Sequence, residues 1–143
     1  MKEIFLYLRA KLMALPDIAW VDLDKGQLNN YELRPAIDFP AVLLKIEYPR
    51  TTKLSRKEQQ CDVQITASVV FDFMDDTDSI TPEETLNQSL EVYDIANTVH
   101  LALHGEIDNT VIRSPLERVS VRDPNRNDKV KVLQYTYLTR TIE

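Results

Sequence analysis

The sequence predicts an α+β fold: a mainly antiparallel sheet with two helices packed on one face, in the order α-β-β-β-α-β-β. Three observations predict it. Residues 61–73 alternate apolar and polar side chains, the period of a strand with one covered face. Residues 81–105 carry a helix start, an amphipathic pattern and a glycine stop. Residues 116–142 hold two β-rich segments separated by a cluster of turn formers, which reads as a hairpin.

Taken in order, the first helix is expected over residues 2–15. Ile4, Phe5, Leu8, Leu12 and Leu15 make its apolar stripe, and Pro16 with Asp17 ends it. Residues 18–23 form a short strand, with Trp20 packed inward or placed at a contact. Asp24-Lys25-Gly26 is a turn, and residues 27–38 are polar and read as loop. A second strand covers residues 39–48, with Val42, Leu44, Ile46 and Tyr48 on one face; Pro40 sits near its start, where a missing donor is tolerated. Residues 49–60 are basic and lack apolar periodicity, so they are either a flexible loop or the extension of a hairpin built on the flanking strands.

The long strand places Cys61, Val63, Ile65, Ala67, Val69, Phe71 and Phe73 on one parity. Asp62, Gln64, Thr66, Ser68 and Asp72 take the other, with Val70 as an apolar intruder. That pattern points one face at a core and the other at water, as in an antiparallel sheet covered on one side. At about 3.4 Å per residue the strand reaches roughly 40 Å, long enough for part of it to project beyond the body. The following helix has Thr81 as N-cap, Pro82 at the first helical position and Glu84 closing a capping box. Leu86, Leu90, Tyr93, Ala96, Val99 and Leu103 are expected inside, Asn87, Glu91, Asp94 and Thr98 in water, and Gly105 at the stop. Strands over 116–121 and 130–142, joined through residues 123–128, complete a single domain spanning 1–143.

Cys61 is the sole cysteine, so no intrachain disulfide forms; its parity predicts a buried thiol, which suits a reducing compartment. Lys2, Glu3, Arg9 and Lys11 interrupt the N-terminal apolar run, so no signal peptide or membrane span is read there and folding in a cytoplasm is expected. Net charge is −6, and between Lys57 and Arg113 every charged side chain is acidic. The basic residues cluster at Arg50, Lys53, Arg56 and Lys57, and again at Arg113, Arg118, Arg122, Arg126, Lys129 and Lys131. Read plainly, these are solvated faces. Read functionally, one acidic and one basic surface suit head-to-tail packing of identical subunits. An acidic chain without a basic, aromatic-laced helix argues against specific nucleic-acid binding.

No catalytic constellation is present, and no catalytic, cofactor or metal residue is assigned. His100 and His104 share a helical face at i, i+4, a spacing that can hold two ligands, but no third ligand accompanies them. Asp72, Asp75, Asp76 and Asp78 cluster without the central glycine and closing glutamate of a calcium loop. No Gly-rich phosphate loop or nucleophile elbow occurs.

The element order, the size and the long strand leading into a capped helix resemble the tail-terminator, or tail-completion, proteins of long-tailed bacteriophages, including the lambda-type terminator. The opening helix Ile4-Phe5-Leu6-Tyr7-Leu8-Arg9 and the strand start Phe39-Pro40-Ala41-Val42 carry the resemblance, which spans residues 2–142. It implies a structural, non-enzymatic protein that caps the tail tube as a hexameric ring and offers a surface for head–tail joining. Its implied partners are copies of itself, the tail-tube protein and a head-completion protein, with no cofactor, membrane or specific nucleic acid. It implies the host cytoplasm during assembly and the virion tail at maturity. On this reading Arg50, Lys53, Arg56, Lys57, Arg122, Arg126 and Lys129 are expected to make protein contacts, and Asp75, Asp76 and Asp78 to line an acidic lumen that repels passing DNA. The rival readings are a small intracellular protein-binding module without a viral role, or a small enzyme or metal-binding protein built on residues such as His100, His104 and Asp94.

Overall fold

The structure, a computed structural model, describes residues 1–29, 37–72, 74–126 and 130–143. Its elements are α1 (Lys2–Met13), β1 (Trp20–Leu23), β2 (Ala41–Lys53), β3 (Gln59–Phe71), α2 (Glu83–Leu103), β4 (Glu117–Arg122) and β5 (Lys131–Ile142). The strands form one five-stranded sheet in the order β1-β2-β3-β5-β4. All neighbours are antiparallel except β1 and β2, which run parallel. The expected α+β order holds. Phe73 of the predicted strand face, most of the predicted loop 27–38, and Asn127, Asp128 and Lys129 fall outside the described residues.

The alternation along β3 decides where the core sits. Cys61, Val63, Ile65, Ala67, Val69 and Phe71 are all buried. Val42 and Leu44 of β2 and Leu133, Tyr135 and Tyr137 of β5 join them on the same face. Onto it pack Ile4, Leu8 and Leu12 of α1 and Val92, Ala96, Val99 and Leu103 of α2. Each large aliphatic side chain so buried contributes about 1.5–3 kcal/mol.

The opposite face is not simply wet. Near the start of β2, Ala41, Leu43, Val70, Val130 and Val132 form a second buried cluster, with Trp20, Leu28, Ile37 and Phe39 packed against it. Val70, the one residue that broke the alternation, is the sheet's contribution to this cluster from β3, and Ser68 beside it is buried as well. Towards the other end, Asp62, Gln64 and Thr66 of that face are only partly buried.

Three further expectations are corrected. The capping box at the start of α2 does not form. Pro82 occupies the cap position with an extended ψ of 145°, and the Thr81 hydroxyl donates to Asp78 Oδ1 at 2.9 Å instead. Leu90 and Tyr93 do not face the core, since the buried stripe of α2 runs through Ser89, Val92, Ala96, Val99 and Leu103. The first helix stops at Met13, short of Leu15. The basic segment 49–60, in contrast, takes the second of its two readings. β2 and β3 stay paired out to Lys53 and Gln59, so it is an ordered hairpin.

Candidate functional site

The β2–β3 hairpin ends in an arm whose turn, residues 54–58, lies beyond the last paired residues of the sheet, Lys53–Gln59 and Gln59–Glu143. From Pro49 to Gln59 every residue is exposed. A register shift between Glu47 and Arg50 marks its root, where bulges commonly re-aim a strand. The arm is held in shape at both ends. At the root Cys61 is buried, and the Tyr48 hydroxyl donates to Glu143 Oε1 at 2.8 Å. That bond holds the Glu143 carboxyl below its ordinary range, while burial and the same bond raise the Tyr48 phenol. At the tip the Leu54 N–H donates to the Glu58 carbonyl at 3.0 Å, and Ser55 Oγ accepts from the Glu58 N–H at 3.2 Å. Arg50, Lys53, Arg56 and Lys57 therefore stand on a shaped turn, with Leu54 between them 51% exposed. Burial also pushes the Cys61 thiol up from its ordinary pKa.

The acidic turn lies at the other end of β3. Asp75, Asp76 and Asp78 are exposed. Asp78 Oδ1 accepts the Ile80 N–H at 3.0 Å, and Ser89 Oγ of α2 donates to the Asp76 carbonyl at 3.0 Å, which ties the turn to the helix. The 13 residues of β3 separate the basic tip from this turn, a span of about 40 Å.

The two basic groups do not form one surface. Arg122 lies at the far end of β4, opposite Gln134, and β5 begins beside Phe71, so the β4–β5 turn belongs to the acidic end. Arg122 is exposed. Arg126 is half-buried, and its guanidinium donates to the Leu28 carbonyl at 2.6 Å, bracing the loop that covers the second cluster. Lys131 pairs with Asp123. Lys129 lies outside the described residues.

His100 and His104 do come together, with ring centroids 4.8 Å apart. Their Nδ1 atoms are engaged: His100 Nδ1 is 3.3 Å from the Tyr137 hydroxyl, and His104 Nδ1 accepts the Arg118 N–H at 3.2 Å. Burial, then the charges of Arg118 and His104, push the His100 pKa below its usual value, so the ring stays neutral near pH 7. Among the described residues no three His, Cys, Asp or Glu side chains converge as a metal site. A cleft of about 880 Å³ opens between the root of the arm and the loop before β4, lined by Arg50, Asp62, His104, Glu117 and Arg140 among others. Its charges are mixed, and Arg140 is paired with Asp62 at 3.4 Å.

Sequence reasoning missed two surfaces. The outward face of α2 carries Leu90 at 40% and Leu101 at 69% exposure. The edge strand β4 shows Val119 and Val121 to solvent, with a register shift between Arg118 and Ser120. Leu90 belongs by spacing to the expected inward stripe, whereas Leu101 stands outside it.

Neither a protein-family model nor a curated protein matches the sequence. Among solved structures, a chain from the virion of a native gene transfer agent particle has a similar fold, with a TM-score of 0.51 and 11% sequence identity. The correspondence covers 95% of this chain and 92% of that one. At such identity the likeness is one of fold. No helix is long and apolar enough to cross a membrane among the described residues.

Proposed function

We propose that this chain is a structural subunit of a phage-like particle, which assembles with copies of itself into a ring, hexameric as in tail terminators, that caps the tail tube and provides the head-joining surface. The observation that supports it most is the bare, ordered, basic arm, carried on a fold that a virion subunit shares almost end to end. A ring needs two different patches per subunit that meet in a closing rotation. The basic arm offers one such patch, and the acidic surface within residues 58–112 offers the other. In this reading Arg50, Lys53, Arg56, Lys57 and Arg122 contact neighbouring subunits, the tail-tube protein or the head-completion protein. Asp75, Asp76 and Asp78 face the lumen, where like charge keeps DNA moving. The role is non-catalytic, taken up in the host cytoplasm during assembly and kept in the mature tail.

The exposed edge of β4 favours a second reading, a module that accepts a partner's strand by β-augmentation. Light scattering and negative-stain imaging separate the two. The ring reading expects concentration-dependent assembly into closed particles, or binding to the ends of purified tail tubes. Arg56→Glu with Lys57→Glu is expected to weaken that assembly more at low salt than at high salt, because salt already screens the arm. A strict monomer that ignores tube ends overturns it.

A further inference from the structure

Packing within the chain leaves one patterned helix face unused. Glu83, Asn87, Leu90, Asp94, Asn97 and Leu101 of α2 follow one another at alternating steps of four and three, so they stack into a single stripe. All are exposed, and the stripe lies opposite the buried one. It is neither a plain apolar seam nor a plain solvated face. Leu90 and Leu101 are its apolar points, Asn87 and Asn97 its amides, and Glu83 and Asp94 its charges. That mixture selects the occupant. Glu84 and Glu91 add two more carboxylates on the same helix, and no lysine or arginine occurs from residue 58 to 112. A second α2 laid against the stripe would bring carboxylates towards carboxylates, with no cation supplied by either helix. The occupant must instead bring positive charge together with an apolar tip. The arm does both, with Leu54 half-exposed among Arg50, Lys53, Arg56 and Lys57. It does not fold back on its own α2, because the β3–β5 ladder is continuous from Gln60 to Phe71 and holds the tip at the far end of the sheet from the start of that helix.

We infer that the arm of one copy docks on the outward stripe of α2 of the next copy, Leu54 seating on Leu90 while the arm's cations lie along Glu91 and Asp94. Asn87 and Asn97, one helical turn or two to either side of Leu90, offer amide groups to the exposed backbone of the turn. The inference rests on the self-assembly reading and names the two faces it uses. The contact is heterologous, since the arm of each copy meets the stripe of the next, and successive contacts close as a ring.

The test is a charge exchange in the full chain, read by sedimentation. One variant carries Lys53→Glu, Arg56→Glu and Lys57→Glu; the other carries Glu91→Lys and Asp94→Lys. All five positions are exposed, and circular dichroism checks that both variants fold. Each alone is expected to self-associate about tenfold or more weakly than the natural chain, since like charges now meet. An equimolar mixture is expected to regain the natural assembly, because the native arm meets the native stripe and the two reversed surfaces meet each other. Variants that assemble as well as the natural chain, or a mixture that stays dissociated, overturn the docking while leaving self-assembly standing. A natural chain that remains monomeric at every concentration overturns the docking, and one that also ignores the ends of purified tail tubes overturns the self-assembly reading as well.

Discussion

Glu106 shows how much one side chain can tie together. It lies three residues past the end of α2, accepts the Tyr7 hydroxyl at 2.8 Å and pairs with Lys11 at 2.8 Å, so it clamps the segment after α2 to α1. The Lys11 bond first, then the Tyr7 bond, hold its carboxyl below the ordinary range. The sign follows from linkage: a depressed carboxyl stabilises the fold above its unfolded pKa of about 4.3, and that contribution is lost as pH falls through the folded value. Glu106→Gln is expected to flatten the acid limb of a thermal-melting profile below that pH. A limb of unchanged steepness would mean that the clamp does not contribute. Thr81 is the opposite case. A threonine before Pro-Glu-Glu reads as a cap, yet Asp78 lies within reach of its hydroxyl and takes it, a competition between local hydrogen bonds that spacing alone does not rank.

At the scale of the element, α2 ends where the sequence says it must. Gly105 takes φ +82° and its N–H donates to the Leu116 carbonyl at 2.7 Å, turning the chain towards β4. A β-carbon added there meets nothing within 4 Å, so the cost of a side chain is conformational. Gly105→Ala is expected to destabilise by about 1–2 kcal/mol in urea denaturation, and Gly105→Asn by less, because asparagine tolerates that backbone region. Equal stability of all three chains would rule out the conformational account. Element existence was legible here because period and punctuation agree: β3 alternates and Gly105 stops a helix. Orientation was less legible. Leu90 and Tyr93 fit an inward stripe as well as an outward one, since a helix with leucines on both sides offers two faces and only the sheet beneath it chooses.

For the whole molecule, the second cluster matters most. The chain covers its sheet with helices on one face and, near the start of β2, with loop residues Leu28, Ile37 and Phe39 on the other. Leu43→Ala is therefore expected to cost about 2–5 kcal/mol of global stability, the range for a buried leucine with a residual cavity. A loss below about 0.5 kcal/mol, the range of ordinary surface changes, would mean that this face is open to water. The cluster was invisible in the sequence because it gathers single residues from separated segments, none of which has a period of its own. Likewise, the basic groups read as one surface because strand ends that lie near in composition can lie a sheet's length apart in space. The same cluster holds the protein's sole tryptophan, Trp20, at the opposite end of β2 from the arm. Indole emission is thus a local spectroscopic reporter: it will follow the opening of the loop-covered face, and a signal that stays constant on subunit mixing says nothing against docking at the hairpin.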